Sequence, residues 1–530
     1  MKTKRSMALV ATLLLTTSVV GMTACGSKVK NTENDLEIFC TDAGYKTEWC
    51  NAIIDLFKQQ DWVKEKYPNL TVTLSTNDDQ TYASSRLDAG EKANTIDLLF
   101  GMNMWGYAGA GSNAMDLTVA LYNSTVPGES VSYKDKMQKS YLLSNQYQAA
   151  DGDKITYYTT SWAGGMNGIL YNEDLFVANG LKVPNTTDEL IAICEQYKAK
   201  ETATEKKYSF VQSFDAVYFN YLFPIWWAQY EGLQGYENFF SGIDNDTYSS
   251  RIFDQKGREY SLGVFEALLD SDKGYVSPYG FSQRFMATQA AFIKGESLMH
   301  VNGDWFSSEM LSAMQREGDN APTIKTMRLP IISKLGEKLG ITDAELSAIV
   351  EYVDKIGAGE SAEVPTFTST KNYTAEKVLN AVKEARTIVH ALGSNHHAVV
   401  PTYAKAKDVA IDFLRFMATD IALEAYTKTT VGATLPFKFT VSQEVYKSLP
   451  VAQQTRLDYF QSANGINTLI APEYFPLVRY GGLAPFVGDQ YYQTFTVTGN
   501  TKTAADFMTE TKNSWDDKKF ANALASAGLK

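Results

Sequence analysis

Asp304 and Trp305 stand side by side after Asn302-Gly303, so a carboxylate lies next to a large flat apolar ring. Further tryptophans stand at Trp105, Trp162, Trp226 and Trp227, and further hydrogen-bonding groups at Asp42, Asp79, Asn103 and Arg479. The chemistry such a set offers is non-covalent. An aromatic face covers the CH surface of a polyhydroxylated ring while Asp, Asn and Arg reach its hydroxyls in the plane. Trp305 is the first choice of platform and Trp162 the second. For both, as for Trp105, the competing reading is core packing, and a lone carboxylate is more often simply solvated. The stretch 218–240, with Tyr221, Trp226, Trp227, Gln229 and Tyr230, reads equally well as a buried helix face. Adjacent Trp226 and Trp227 are not expected to point inward together, which leaves one of them for a ligand.

Covalent, metal and nucleotide chemistry find little support. Gly109-Ala110-Gly111-Ser112-Asn113-Ala114 fits a dinucleotide pattern as letters, but it does not follow directly on a strand. His396 and His397 are adjacent and face opposite ways in a strand, and His300 and His390 complete no ligand set. No Walker lysine motif, nucleophile elbow or Cys-His protease pattern occurs. No cofactor and no metal is expected. The rival enzyme reading is a glycoside hydrolase, because 61 acids could hide a working carboxylate pair, although none can be nominated. A further rival is an adhesion or assembly protein.

Ahead of these residues runs a leader-like segment. Lys2, Lys4 and Arg5 precede an apolar run from Met7 to Val20, interrupted by Thr and Ser and shorter than the roughly 20 residues a spanning helix needs. Met22-Thr23-Ala24-Cys25 follows and resembles a bacterial lipobox, with Met22 where Leu is usual. Residues 1–24 are therefore expected to be a cleaved signal. Cys25 would carry the lipid, a diacylglyceryl group with palmitate-type chains, and 25–35 would form the tether. Two acyl chains anchor a protein stably where one does not. The expected location is the outer face of the cell membrane.

The formal charge is −12, and no basic run follows Lys28 and Lys30. That balance argues against nucleic acid or anionic lipid as partner, since both require clustered Lys and Arg. With 530 residues, 44% of them hydrophobic, the chain suggests two or more lobes. Beyond Cys25, only Cys40, Cys50 and Cys194 remain, too few for a disulfide framework or a zinc site; buried free thiols are the expected state, with a Cys40–Cys50 bridge as the alternative.

The elements that must position the candidate residues begin near Leu36. Residues 36–41, 70–75 and 96–100 read as strands, with helices over 47–67 and 82–92 between them. A βαβαβ order implies a parallel sheet, and open parallel sheets bind ligands beyond the carboxyl ends of their strands. The loops 42–45, 77–80 and 102–105 are thereby singled out. Thr186 and Glu189 have capping-box spacing before a helix that carries Leu190, Cys194 and Tyr197 on one face, and 408–417 reads as another amphipathic helix. Between 333 and 395, a second capping box at Thr342 and Glu345, a break at Gly357–Gly359 and a helical stretch over 375–392 look like an insertion.

Tyr171-Asn172-Glu173-Asp174-Leu175-Phe176 with Gly180, Pro184, Thr186 and Glu189-Leu190 resembles the hallmark of the family 1 extracellular solute-binding proteins, the sugar-capturing subunits of bacterial ABC importers. Phe292 to Met299 with Asn302-Gly303-Asp304-Trp305 resembles the family's strand and aromatic turn. Val400-Pro401, Lys405, Lys407, Phe413 to Phe416, Gly432 and Leu435-Pro436 resemble its late helix and return strand. The resemblance implies an α/β, two-lobed periplasmic-binding-protein-like fold with hinge segments and, here, a helical insertion. Carried onto this chain, the crossings fall near 160–164, 327–331 and 419–432. The first lobe would comprise 36–161 and 329–418, including the 333–395 insertion, and the second 162–328 and 419–530. It further implies a monomer that captures a sugar, more specifically an oligosaccharide, by lobe closure and hands it to permease subunits. A peptide ligand in the same fold is the alternative cargo.

Overall fold

The computed structural model describes residues 32–529 except 108, 110, 149–153, 215–217, 392–395 and 485–488, so the leader and Cys25 lie outside the described residues. Two five-stranded sheets organise the chain. Their strands are β1 (Asp35–Thr41), β2 (Thr71–Asn77), β3 (Leu98–Met102), β4 (Thr160–Ser161), β5 (Asn167–Asn172), β6 (Tyr208–Val211), β7 (Val276–Ser277), β8 (Ser297–Gly303), β9 (Ile324–Met327) and β10 (His396–Val399). The first sheet has the order β2-β1-β3-β10-β4 and the second β7-β6-β8-β5-β9.

The expected parallel start is present: β1 pairs parallel with both β2 and β3. The edge strand β2 alternates in exposure while β3 is almost wholly buried, as their places in the sheet require. The expected helix over 47–67 is broken at Gln60, whose extended backbone ends Glu48–Gln59 and starts Asp61–Lys66. Thr186 caps Thr187–Lys198 by accepting from the Glu189 amide, and Leu190, Cys194 and Tyr197 are buried. The Glu189 carboxylate reaches back to the Asn185 amide, one residue beyond the usual capping box. Lys407–Met417 buries Val409, Phe413, Phe416 and Met417. Cys40, Cys50 and Cys194 are free and buried, and burial pushes each thiol up. Among the described residues, no helix is long and apolar enough to cross a membrane.

Three expected boundaries are corrected. The insertion packs on the second lobe, not the first: Leu346, Ile349, Val350 and Val353 from Asp343–Gly357, with Val378, Val382 and Ala385 from Ala375–Thr387, share one core with Trp226 and Phe265. Residues 419–437 belong with the first lobe, whose core holds Ala422, Leu423, Tyr426, Leu435 and Phe437. Among the described residues the crossings move accordingly, to 162–167, 389–391 and 434–450. An amphipathic helix shows in sequence that it has an apolar face, but not which sheet that face will cover.

The three crossings are hydrogen-bonded side by side. Gly164 N donates to Thr434 O (2.7 Å), Trp162 N to His396 O (3.1 Å) and Asn167 N to His390 O (3.2 Å). Gly164 is needed for the approach, because a Cβ there would lie 2.6 Å from Thr434 O.

Candidate functional site

The seam between the lobes is built from loops at the carboxyl ends of β1 and β8. β8 ends at Gly303, and Trp305 then stands immediately before the helix Phe306–Glu317. The indole folds back over Gly303, where a Cβ would come 2.0 Å from the ring. From the other lobe, the turn after β1 lies flush against it: a Cβ on Gly44 would be 2.8 Å from Trp305 Cβ and 3.2 Å from Glu309 Oε1. Trp305 is 7% exposed and packs with the first lobe's core although the second lobe carries it. Tyrosine rings surround it nearly edge-on: Tyr45 at 6.5 Å and 87°, Tyr218 at 5.5 Å and 67°, and Tyr221 at 6.5 Å and 85°. Tyr221 also stacks on His390 of the second crossing, and Tyr218 meets Phe285 edge-on.

Polar groups lie beneath these rings. Tyr45 Oη donates to Asp304 Oδ1 (2.5 Å) and Thr434 N to Asp304 Oδ2 (2.6 Å). Gln453 Nε2 donates to Asp304 O (2.6 Å), and Asp304 N to Met166 O (2.9 Å). Burial pushes the Asp304 carboxyl up, while Arg456, Tyr45 and Thr434 pull it down. One turn further on, Glu309 Oε2 accepts from Gln289 Nε2 (2.8 Å). Burial pushes Glu309 up to about 7, opposed by Gln289 and Lys46.

No family model and no curated protein matches this chain. Solved structures do. A structure from work on xylan utilization by Caldanaerobius polysaccharolyticus superposes with a TM-score of 0.56 at 14% identity, covering 91% of this chain and 100% of that one. A family 1 extracellular solute-binding protein from Bifidobacterium longum subsp. infantis matches at 0.52 and 14% identity, over 92% and 98%. A chitin oligosaccharide binding protein matches at 0.52 and 16%, over 90% and 98%. The fold is that of the extracellular solute-binding proteins.

Within the solute-binding fold, the residues singled out in sequence fall into three groups. Asp304 and Trp305 are at the seam, but Asp304 is buried and already bonded on both carboxylate oxygens, so it ties the lobes together rather than offering a free group. Asp42, Asp79 and Asn103 stand exposed beyond β1, β2 and β3, as the topology requires. Asp79 is engaged locally, its Oδ1 accepting from Thr81 N and Oγ1, which lowers its carboxyl. Asn103 is left-handed, with φ +54°. Trp105 opens the short turn Trp105–Tyr107, and its side chain lies outside what is described. Arg479 joins the lobes: Nε donates to Glu473 O (3.0 Å) and Nη1 to Gln146 O (3.4 Å) of the first lobe's small hairpin.

The third group is core. Trp162 stacks on Trp49 (5.1 Å, 19°) inside the first lobe and donates Nε1 to Gly101 O (3.2 Å). Trp226 and Trp227 are both fully buried, donating to Pro330 O (3.1 Å) and Gln255 Oε1 (2.9 Å). The expectation that one of them would be free fails because Leu222–Glu231 is buried nearly all round, with eight of its residues inside. In that aromatic stretch, it is Tyr218 and Tyr221 that reach the seam. Glu309, Gln289 and His390 were not singled out as ligand contacts; the only trace of Glu309 in sequence is its position one helical turn after Trp305.

Proposed function

We propose that this protein is a lipid-anchored extracellular solute-binding protein that captures a carbohydrate, an oligosaccharide, between its lobes and delivers it to an ABC permease. The observation that carries the reading is the seam itself. Trp305, Tyr45, Tyr218 and Tyr221 converge from both lobes, with the hydrogen-bonding groups of Glu309 and Gln289 beside them. Flat rings with in-plane polar groups suit a glycan, and two structures of the same fold come from chitin-oligosaccharide and xylan systems. A ligand that touches both lobes only when they meet favours the closed form by that difference in contact. No catalytic role is assigned: the protein binds, and ATP is used by a partner subunit. Cys25 is the anchoring residue in this reading, and Asp42 and Asn103, exposed beyond β1 and β3, are rim contacts for the outer sugars.

Calorimetric titration against plant and host oligosaccharides, with amino acids and peptides as controls, tests the proposal. Saturable binding of one glycan class, with the glycan recovered intact, is the expected result. Binding only to peptides would change the cargo, and cleavage of the glycan would make the protein a hydrolase. Radiolabelled palmitate incorporated into wild type and absent from Cys25→Ala is expected for the anchor.

A further inference from the structure

We propose that lobe closure is coupled to uptake of a solvent proton by Glu309, so that the closed form is favoured at mildly acid pH. The inference rests on reading the protein as a binder whose lobes open and close. Glu309 is carried by the second lobe, yet its Oε1 lies against the first lobe's Gly44, so separating the lobes returns the carboxyl to water. Its Oε2 is held by Gln289, which is fully buried and whose own Oε1 has no partner among the described groups. A protonated Glu309 adds a donor beside that acceptor, and an amide can turn to receive it.

The charged and titratable neighbours come from four directions. The turn after β1 brings Asp42, Tyr45 and Lys46; Asp304 precedes the Glu309 helix, and Arg316 and Glu317 close it. Arg284 stands at the start of Phe285–Ile293, and Arg456, paired with Gln453, faces Asp304. Of these, Lys46 alone pulls the Glu309 carboxyl down appreciably, and it is exposed. Closed, the carboxyl stands at about 7; open, it relaxes toward its ordinary 4.5. The closed form therefore holds more protons between those values. Its advantage is greatest at low pH and is lost as pH rises through 7, a change of about tenfold in the closed-to-open ratio between pH 6 and 8.

Small-angle scattering of the protein without ligand, at pH 6 and pH 8, tests this independently of what it binds. Failure to find a sugar would leave the test standing. Wild type is expected to be more compact at pH 6, Glu309→Gln equally compact at both, and Lys46→Met to shift the transition to higher pH. Circular dichroism confirms that each variant is folded. A wild type with the same dimensions at both pH values overturns the proposal. A pH response that survives in Glu309→Gln also overturns it and moves the effect to Asp304.

Discussion

Tyr45 of the first lobe donates its phenolic hydrogen to Asp304 of the second across 2.5 Å, a contact between residues 259 positions apart. The same carboxylate accepts from Thr434 on the third crossing, and its backbone is bonded to Met166 on the first. One buried side chain thus reports on both lobes and two hinge strands. Of its bonds, only the one to Tyr45 reaches the turn after β1.

Tyr45→Phe removes that bond with little change of shape. A hydrogen bond to a charged group contributes about 1.5–3 kcal/mol, so affinity for the glycan of the proposed function is expected to fall by roughly ten- to a hundredfold. The unliganded protein should scatter as a more open particle. Unchanged affinity by calorimetry would show that Tyr45 is packing alone.

The two kinds of tryptophan separate by substitution. Trp226→Ala empties a fully buried site and is expected to cost about 3–5 kcal/mol of stability in denaturant, with the affinity of the protein that remains folded unchanged. Trp305→Ala is expected, on the proposed function, to abolish measurable glycan binding and to lower stability by less, since its ring faces the seam. Equal stability losses with intact binding in Trp305→Ala would assign it to the core.

The contrast between these tryptophans also marks how far the sequence can be read. The βαβαβ start, the Thr186-capped helix and the loops at the sheet's carboxyl ends follow from period and capping, which are local. The assignment of Trp162, Trp226 and Trp227 failed because an aromatic residue looks the same whether it lines a cleft or fills a core. The insertion was visible as helices, yet its lobe depended on which apolar face it met. Glu309 left only its place one helical turn after Trp305, since its surroundings come from Gly44 and Gln289, which are separated from it in the chain.

Three histidines, His300 and His397 buried and His390 half-buried, set an acid limit on stability. Burial holds His300 and His390 down to about 4 and His397 down to about 3, from an ordinary 6.5. Each is neutral when folded and protonated in the unfolded chain between those values. Their contribution is therefore complete above pH 6.5 and is lost as pH falls toward 4, on the order of 3 kcal/mol for His300 and for His397 and less for the half-buried His390. The melting temperature is expected to drop steadily from pH 7 to pH 4. His300→Phe, which keeps the stacking on Phe292, should lessen that drop.

Gly164→Ala is expected to disturb the hinge rather than either lobe. The added methyl would press on the Thr434 carbonyl at 2.6 Å, where backbone meets backbone and no rotamer can relieve it. A cost of about 1–3 kcal/mol is typical of such overpacking. Hydrogen exchange should quicken at the 434 and 390 crossings, with the two sheets unaffected. Exchange raised uniformly through the first sheet would place the strain in the lobe.

The two helices of the insertion are tied to each other, and through Arg328 and Leu329 to the second lobe, by one shared carboxylate. Arg386, with its side chain 3% exposed, grips Asp354 through Nε (3.0 Å) and Nη2 (2.6 Å), and its Nη1 donates to Leu329 O (2.5 Å). Arg328 shares the same carboxylate at 2.9 Å. Asp354→Ala leaves two guanidinium groups facing each other with no acid between them; because the carboxylate is itself 30% exposed, the cost is expected to be about 1–3 kcal/mol rather than that of a fully buried pair. Removing the acid together with the more buried cation, in Asp354→Leu with Arg386→Met, should recover part of that loss, because only Arg328 is then left without its acid. Denaturant unfolding of the two variants decides the matter. If the double variant is as unstable as the single one, then the hold of Arg386 on Leu329, rather than its charge on Asp354, secures the insertion to the second lobe.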